Sequence, residues 1–409
     1  MSHNIIIIAP IPSFPANDGY SYGFMNRIEF FYKKNYKIHF FASVSSIISK
    51  KSNFSELEKK CEKMYVYTYD KPKELLKHGK IKSLLNIITK FWLPSTVSMR
   101  FSVKMKKNIF YCINKHKIEM IFVEYPYLLI NVPSNIITPI VLFQHNLEFN
   151  KIMKRAMYVN FIKKILMLHE GQKLKKYEYN NTQKKIVSLY TFVSTENKEV
   201  FENVFCVKNT YLFPPGYSSC IRYQSVYKKG KIVFVGAMND LQNINAIEWF
   251  VDKVFPVITQ KFEDVKLYVI GKNPTKKILQ LNSENIIVTG MVDSVEEYII
   301  DAHLYIIPLL FGDGVKIKTL EAFASGNIVV STSIGVEGLD FVSGRDYILA
   351  DTKDEFIEKC NFVLDNRENY EYLAINATEK MQELYSWDSI LNSYENKIKS
   401  LIKINKDRY

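Results

Sequence analysis

The sequence predicts an α/β protein of two domains, each built on a parallel sheet with helices on both faces. Three observations predict it. Short apolar runs of strand length alternate with helical stretches along the whole chain. At 409 residues there is enough chain for two ordinary cores. The alternation stops at Pro214-Pro215-Gly216 and a polar run to Gly230, then starts again.

The first half opens with an apolar strand over residues 5–9. A loop holding Pro10, Pro12, Pro15 and Asn17-Asp18-Gly19 leads into a helix over 20–34, where Phe24, Ile28 and Phe31 form an i, i+4, i+7 apolar face. Further strands are expected at 38–42, 64–68, 120–124, 140–143 and 190–193. Continuous apolar runs of this kind suit parallel strands covered on both faces. After the break, strands are expected at 231–235, 266–270, 285–288, 304–307 and 328–331. Helices are expected around 243–260, 295–302 and 316–325, and helical segments from 353 to 403 close the chain. The expected division is a first domain over 1–213, a hinge over 214–230, a second domain over 231–385 and a last helix over 386–409.

A composition of 47% hydrophobic and 24% charged residues is that of a soluble globular protein. No apolar run reaches membrane-spanning length, and the N-terminus has no basic leader or small-residue cleavage site. Five scattered cysteines, odd in number, read as free thiols in a reducing cytoplasm. The expected location is therefore cytoplasmic, with contact at the inner face of the membrane suggested by charge. Residues 1–200 hold 32 Lys+Arg against 14 Asp+Glu, net +18, whereas 201–409 hold 23 against 28, net −5. The basic excess lies in 71–107 and 151–185 among Leu, Ile, Phe and Trp92, which suits an anionic membrane or a phosphate-bearing acceptor. Nucleic acid ranks low as a partner, because Lys far outnumbers Arg there and no base-reading element is evident.

The most informative segment is PLLFGDGVKIKTLEAFASGNIVVSTSIGVEG, from Pro308 to Gly338. It reads as strand, glycine loop, helix, glycine stop, strand and glycine turn. A glycine loop feeding a helix N-terminus points N–H groups outward and suits a diphosphate. Lys316 and Lys318 add positive charge there, and Glu321 could accept hydrogen bonds from sugar hydroxyls. This makes a candidate nucleotide-sugar site, against the alternative of a tight connection that binds nothing.

The segment resembles the donor signature of the family 4, or group 1, retaining glycosyltransferases of GT-B fold. FVGAMNDLQNINAIEWFVDKVFPVI, from Phe234 to Ile258, is similar to the opening of their donor domain. The resemblance implies that Gly236, Asn239, Asn243, Gly314, Val315, Lys316 and Glu321 border the donor, with Glu321 on the ribose. Gly290-Met291-Val292 is similar to the segment that brackets the base. Phe143-Gln144-His145-Asn146-Leu147-Glu148 resembles the family's His-Asn-x-Glu element, which gives His145 and Glu148 catalytic roles beside Lys318. Asp313 falls on the first of two acidic positions separated by seven residues, which implies a catalytic contact with the sugar, and Gly19, also expected at the donor, follows an Asp where relatives have Gly-Gly. The chain departs from the family after Gly236, where an Arg and a Lys that neutralise the departing diphosphate are missing.

The resemblance implies no cofactor beyond the substrate: a UDP-sugar first, a GDP- or ADP-sugar as alternatives. The acceptor would be a glycan, a lipid-linked molecule or a protein. No metal site is expected, since no Asp-x-Asp follows a strand and the Cys and His spacings match no zinc pattern. The rival readings are a non-catalytic GT-B subunit and a nucleic-acid-modifying glucosyltransferase.

Overall fold

The computed structural model describes residues 3–12, 19–49, 54–70, 93–157, 159–217, 227–312 and 314–406. The chain forms two units, one of residues 1–214 with 391–409 and the other of 215–390. The basic segment 71–92, with Trp92, lies outside the described residues, as does Asp313.

The first unit holds a seven-stranded, all-parallel sheet. Its strands are β1 (Asn4–Ala9), β2 (Lys37–Ser45), β3 (Lys63–Tyr69), β4 (Met120–Val123), β5 (Ile140–Gln144), β6 (Leu189–Phe192) and β7 (Thr210–Leu212), in the order β3-β2-β1-β4-β5-β6-β7. Ile5 to Ile8 are fully buried, as a central parallel strand requires. Register follows from pairs such as Ile6↔His39 and Ile6↔Ile121. The connecting helices include α1 (Gly19–Lys33), α2 (Val103–His116), α3 (Glu148–Ala156), α4 (Phe161–Gln183) and α5 (Thr195–Phe205). Helix α2 starts at Ser102, whose hydroxyl accepts from the Met105 N–H, and stops at Lys117 in the left-handed conformation.

The second unit repeats the plan with six parallel strands. These are β8 (Lys231–Val235), β9 (Lys266–Ile270), β10 (Ile286–Gly290), β11 (Leu304–Ile307), β12 (Val329–Ser331) and β13 (Ile348–Leu349), ordered β10-β9-β8-β11-β12-β13. Helix α6 (Leu241–Trp249) runs on through a π-helical turn, Phe250–Val254, into Phe255–Lys261. Pro256 has no N–H to give, and the wider turn before it lets the helix pass without a break. Helix α7 (Ile317–Ala324) precedes β12, and α8 (Lys353–Asp365) starts with a capping box from Thr352 and Glu355. Helix α9 is Glu371–Leu384.

The last helix, α10 (Trp387–Lys406), begins in the second unit and belongs to the first from Leu391 onward. There Tyr394 packs with ring centroids 4.8 Å from Phe213 and 5.7 Å from Phe143. The expected parallel α/β architecture is met. Two departures are local: the expected helix over 295–302 is a single turn, Glu296–Ile299, and β7 and β13 are edge strands too short to show as apolar runs.

Candidate functional site

In each sheet the strand order reverses direction once, between β1 and β4 in the first unit and between β8 and β11 in the second. Ligands of open α/β sheets bind at the carboxyl ends of the strands flanking such a point. The candidate residues lie there in both units.

In the second unit the floor of the site is bare backbone. Gly236, Gly271 and Gly290 end or follow β8, β9 and β10. The Gly236 N–H donates to the Ile270 carbonyl at 2.9 Å, and the Gly271 N–H to the Gly290 carbonyl at 3.1 Å. A Cβ on Gly271 would stand 1.8 Å from the Gly236 carbonyl oxygen, so no side chain fits. A Cβ on Gly236 would meet Asn243 Nδ2 at 2.7 Å and Lys318 Nζ at 3.0 Å. The missing side chain at Gly236 is therefore what lets Lys318 and Asn243 meet.

Lys318, in the first turn of α7, donates from Nζ to Asn243 Oδ1. Its ammonium sits 4.6 Å from the centroid of the Phe234 ring. Asn243 Nδ2 donates to the Ala237 carbonyl at 2.9 Å, which fixes the amide so that its oxygen faces the lysine. The lysine's hydrogen-bond partner is thus neutral. Burial pushes the ammonium down to about 7, with the charges of Asp240 and Glu321 opposing. Burial pushes the Glu321 carboxyl up to about 7, with Lys318 opposing. A cation held this way is poised to gain from an incoming anion.

The other residues expected at the donor site fall around this pair. Lys316 is the N-cap of α7, and its Nζ pairs with Glu337 Oε2 at 2.8 Å with 4% of the side chain exposed. That ammonium is committed within the unit, unlike Lys318. Gly314 has φ +76, Val315 packs on the core, Asn239 and Met291 are exposed, and Val292 is half-buried against the core.

In the first unit the site is an ionic triad. Arg27, on the buried face of α1, donates from its guanidinium to Glu124 Oε1, and the Glu124 side chain is 0% exposed. The guanidinium lies 3.8 Å from the centroid of the Phe143 ring. Glu124 Oε2 takes His145 Nε2 at 2.9 Å. Burial alone would raise the Glu124 carboxyl, but Arg27 and His145 hold it below its ordinary value. A charged carboxylate accepts, so Nε2 carries the proton and Nδ1 is the ring's remaining polar atom. Tyr20 meets the imidazole edge-on at 5.2 Å, and Tyr125 lies 4.8 Å away.

Glu148 opens α3 half-exposed, and the carboxylate that holds His145 is Glu124. Gly19 is the first residue of α1. Sequence reasoning missed Arg27 and Glu124. The signals were present: an arginine among Phe24, Ile28 and Phe31 on one helix face, and an acid ending the apolar run Met120–Val123. Among the described residues, neither site gathers three His, Cys, Asp or Glu ligand atoms close enough for a metal.

Comparison with known proteins bears on the fold. Residues 229–366 match the family model of glycosyl transferases group 1. An uncharacterized 44.6 kDa protein in the cps region of Klebsiella pneumoniae is 30% identical over 171 residues. That match takes in 40% of this chain and 44% of the relative, so less than half of either is compared. Among solved structures, sucrose-phosphate synthase from Thermosynechococcus elongatus superposes with a TM-score of 0.66 at 14% identity, over 98% of this chain and 100% of the other. Anabaena HepE in complex with UDP gives 0.64 at 12%, over 98% and 100%. The same protein in complex with UDP-glucose gives 0.61 at 12%, over 97% and 99%. At such identities these structures speak for the fold alone, the two-domain GT-B architecture.

Proposed function

With a group 1 glycosyltransferase domain in residues 229–366 and a GT-B fold over the chain, we propose that this protein moves a sugar from a UDP-sugar to a glycan or lipid-linked acceptor, with retention of configuration, in the assembly of a surface polysaccharide. The observation that carries the reading is Lys318: a buried cation with a neutral hydrogen-bond partner, at the reversal point of the donor-side sheet. The cps-region relative motivates the polysaccharide, and the UDP and UDP-glucose complexes of Anabaena HepE motivate the nucleotide.

In this reading the N-terminus of α7 and Lys318 receive the diphosphate, Glu321 takes the ribose hydroxyls, and the backbone of Gly290 to Val292 brackets the base. Lys318 then does the work that the missing Arg and Lys do in relatives. Its Nζ lies beside Gly236, at the loop where that pair would stand. The acceptor hydroxyl attacks the anomeric carbon on the face from which the diphosphate departs, and its proton passes to the leaving phosphate oxygen. Charge grows on that oxygen as the bond breaks, and a fixed cation there favours the transition state over the ground state. Within the first unit, His145, oriented by Glu124, is the group available to an acceptor hydroxyl.

The basic first unit adds the acceptor's address, which we place on an anionic membrane surface at the cytoplasmic face. No helix among the described residues is long and apolar enough to cross a membrane. At the start of α4, however, Phe161 and Ile162 are 76% and 75% exposed, with Ile165, Leu166 and Met157 also exposed. Lys151, Lys154, Arg155, Lys163 and Lys164 surround them in sequence. Apolar side chains rimmed by cations suit reversible docking on anionic lipid. The other basic stretch, around Lys80, Lys82 and Lys90, lies outside the described residues.

Incubating the purified chain with UDP-sugars and a lipid-linked glycan acceptor tests the proposal. Release of UDP coupled to acceptor modification, with the anomeric configuration kept, is the expected result. Binding of UDP without release under any acceptor would favour the non-catalytic subunit.

A further inference from the structure

We infer that His39, Cys112 and His116 form a zinc site in the first unit, separate from Glu124 and His145. The donor atoms of the three side chains all lie within 4.8 Å of one another. Zinc bonds of about 2.0–2.3 Å need donors a little closer than this, within reach of small rotamer adjustments. Cys112 and His116 are i, i+4 on one face of α2, in its last two turns. His39 comes from β2, and its ring centroid is 4.5 Å from that of His116.

A second observation points to a ligand. His39 is 1% exposed, and neither of its ring nitrogens has a hydrogen-bond partner. A histidine buried among apolar residues normally gives or receives at least one hydrogen bond, because an unpaired polar group is costly to bury. Here a thiol and a second imidazole lie within 4.8 Å, and a metal ion satisfies all three at once. Cys112 is a free, fully buried cysteine, so it can serve as a thiolate once its proton passes to solvent. One thiolate with two imidazoles is a donor set for zinc rather than for magnesium or calcium.

The charged groups around the cluster are mixed. Glu62, Lys37 and Lys63 all act on His39, and Lys63 Nζ lies 5.2 Å from the Tyr65 ring centroid. Among the described residues no fourth His, Cys, Asp or Glu joins the group, so a water molecule would complete the fourth corner. His39 lies in register with Ile6, and Ile6 with Ile121, three residues before Glu124. That is about 10 Å along the strands, and two strand spacings across, from the carboxyl end where His145 is held. The site would tie α2 to β2 from below the candidate acceptor site. Its role is structural, and it stands whether or not the chain transfers sugar.

The test uses the full chain, stripped with a chelator and dialysed, then titrated with Zn²⁺ or Co²⁺. The expected results are one zinc per chain, a thiolate-to-cobalt charge-transfer band, and a rise in Tm on adding Zn²⁺. Cys112→Ser should remove the band and weaken zinc binding at least tenfold. His116→Gln, at the least buried of the three ligands, should also weaken binding at least tenfold, and it gives the answer if the cysteine variant does not fold. No charge-transfer band and no Tm shift in the unaltered chain would overturn the inference. Zinc bound equally well by both variants would overturn it too, since the metal would then sit elsewhere.

Discussion

The candidate sites of the two units use charge in different ways. In the first unit, Arg27 and His145 both give hydrogen bonds to the buried Glu124 carboxylate, while Arg27 Nε is left without a partner. In the second, Lys318 donates to a neutral amide and lies over the Phe234 ring, and burial pushes it down to about 7 against the charges of Asp240 and Glu321. A paired carboxylate fixes orientation: Glu124 holds His145 in one tautomer. A buried lysine with a neutral partner stores demand for an anion. We read the first as the element that positions a hydroxyl and the second as the element that stabilises a leaving group.

The largest expected effect lies in the first unit. Arg27→Met strands a buried Glu124 carboxylate and should cost about 3–5 kcal/mol of stability, whereas Arg27→Met with Glu124→Gln should recover most of it. Urea denaturation of the two variants decides. Equal stability of the single variant and the unaltered chain would mean that the triad is not coupled.

The next effect belongs to the second unit. Lys318→Ala should lower transfer by about 10²–10³-fold and leave the unfolding midpoint near its starting value. Glu321→Ala should cost about 10²-fold, through misplacement of the donor ribose. Lys316→Ala should do less, since Glu337 already holds its ammonium. Steady-state rates for the three variants, ranked in any other order, would move the leaving-group role off Lys318.

Smaller still is the effect expected at the membrane. Phe161→Glu with Ile162→Glu should reduce sedimentation with anionic vesicles about tenfold or more, and leave transfer to a soluble acceptor analogue unchanged. Equal recovery with neutral and anionic vesicles would remove the membrane from the account.

How much of this was legible depends on where the information lies. The parallel sheets could be read because strands such as Ile5–Ile8 are buried on both faces and appear as unbroken apolar runs. The helix at Lys318 was readable from its glycine stop, because Gly326 has φ +69 beyond a C-cap at Ser325. Partnerships across the sheet were not readable. Nothing local says that Arg27 meets Glu124, or that Asn243 turns its oxygen to Lys318, since each pairing is set by how adjacent strand ends converge. The neighbours of His39 were not readable for the same reason, since they come from a helix far along the chain.

The claim that Lys318 waits for a diphosphate is tested most directly by proton linkage in UDP binding. Free Lys318 at about 7 is mostly deprotonated at pH 8, while Glu321, also at about 7, is already mostly a carboxylate. A bound diphosphate raises the lysine towards its ordinary range, so the complex takes up a proton. Affinity should therefore fall as pH rises above 7. It should fall again below 7, where Glu321 must lose a proton before it can hold the ribose as a carboxylate. Calorimetry at pH 8 in two buffers of different ionisation enthalpy reads the uptake. The account predicts an uptake approaching one proton per UDP, lost in Lys318→Met. Binding with no uptake, or with the same uptake in that variant, would contradict it.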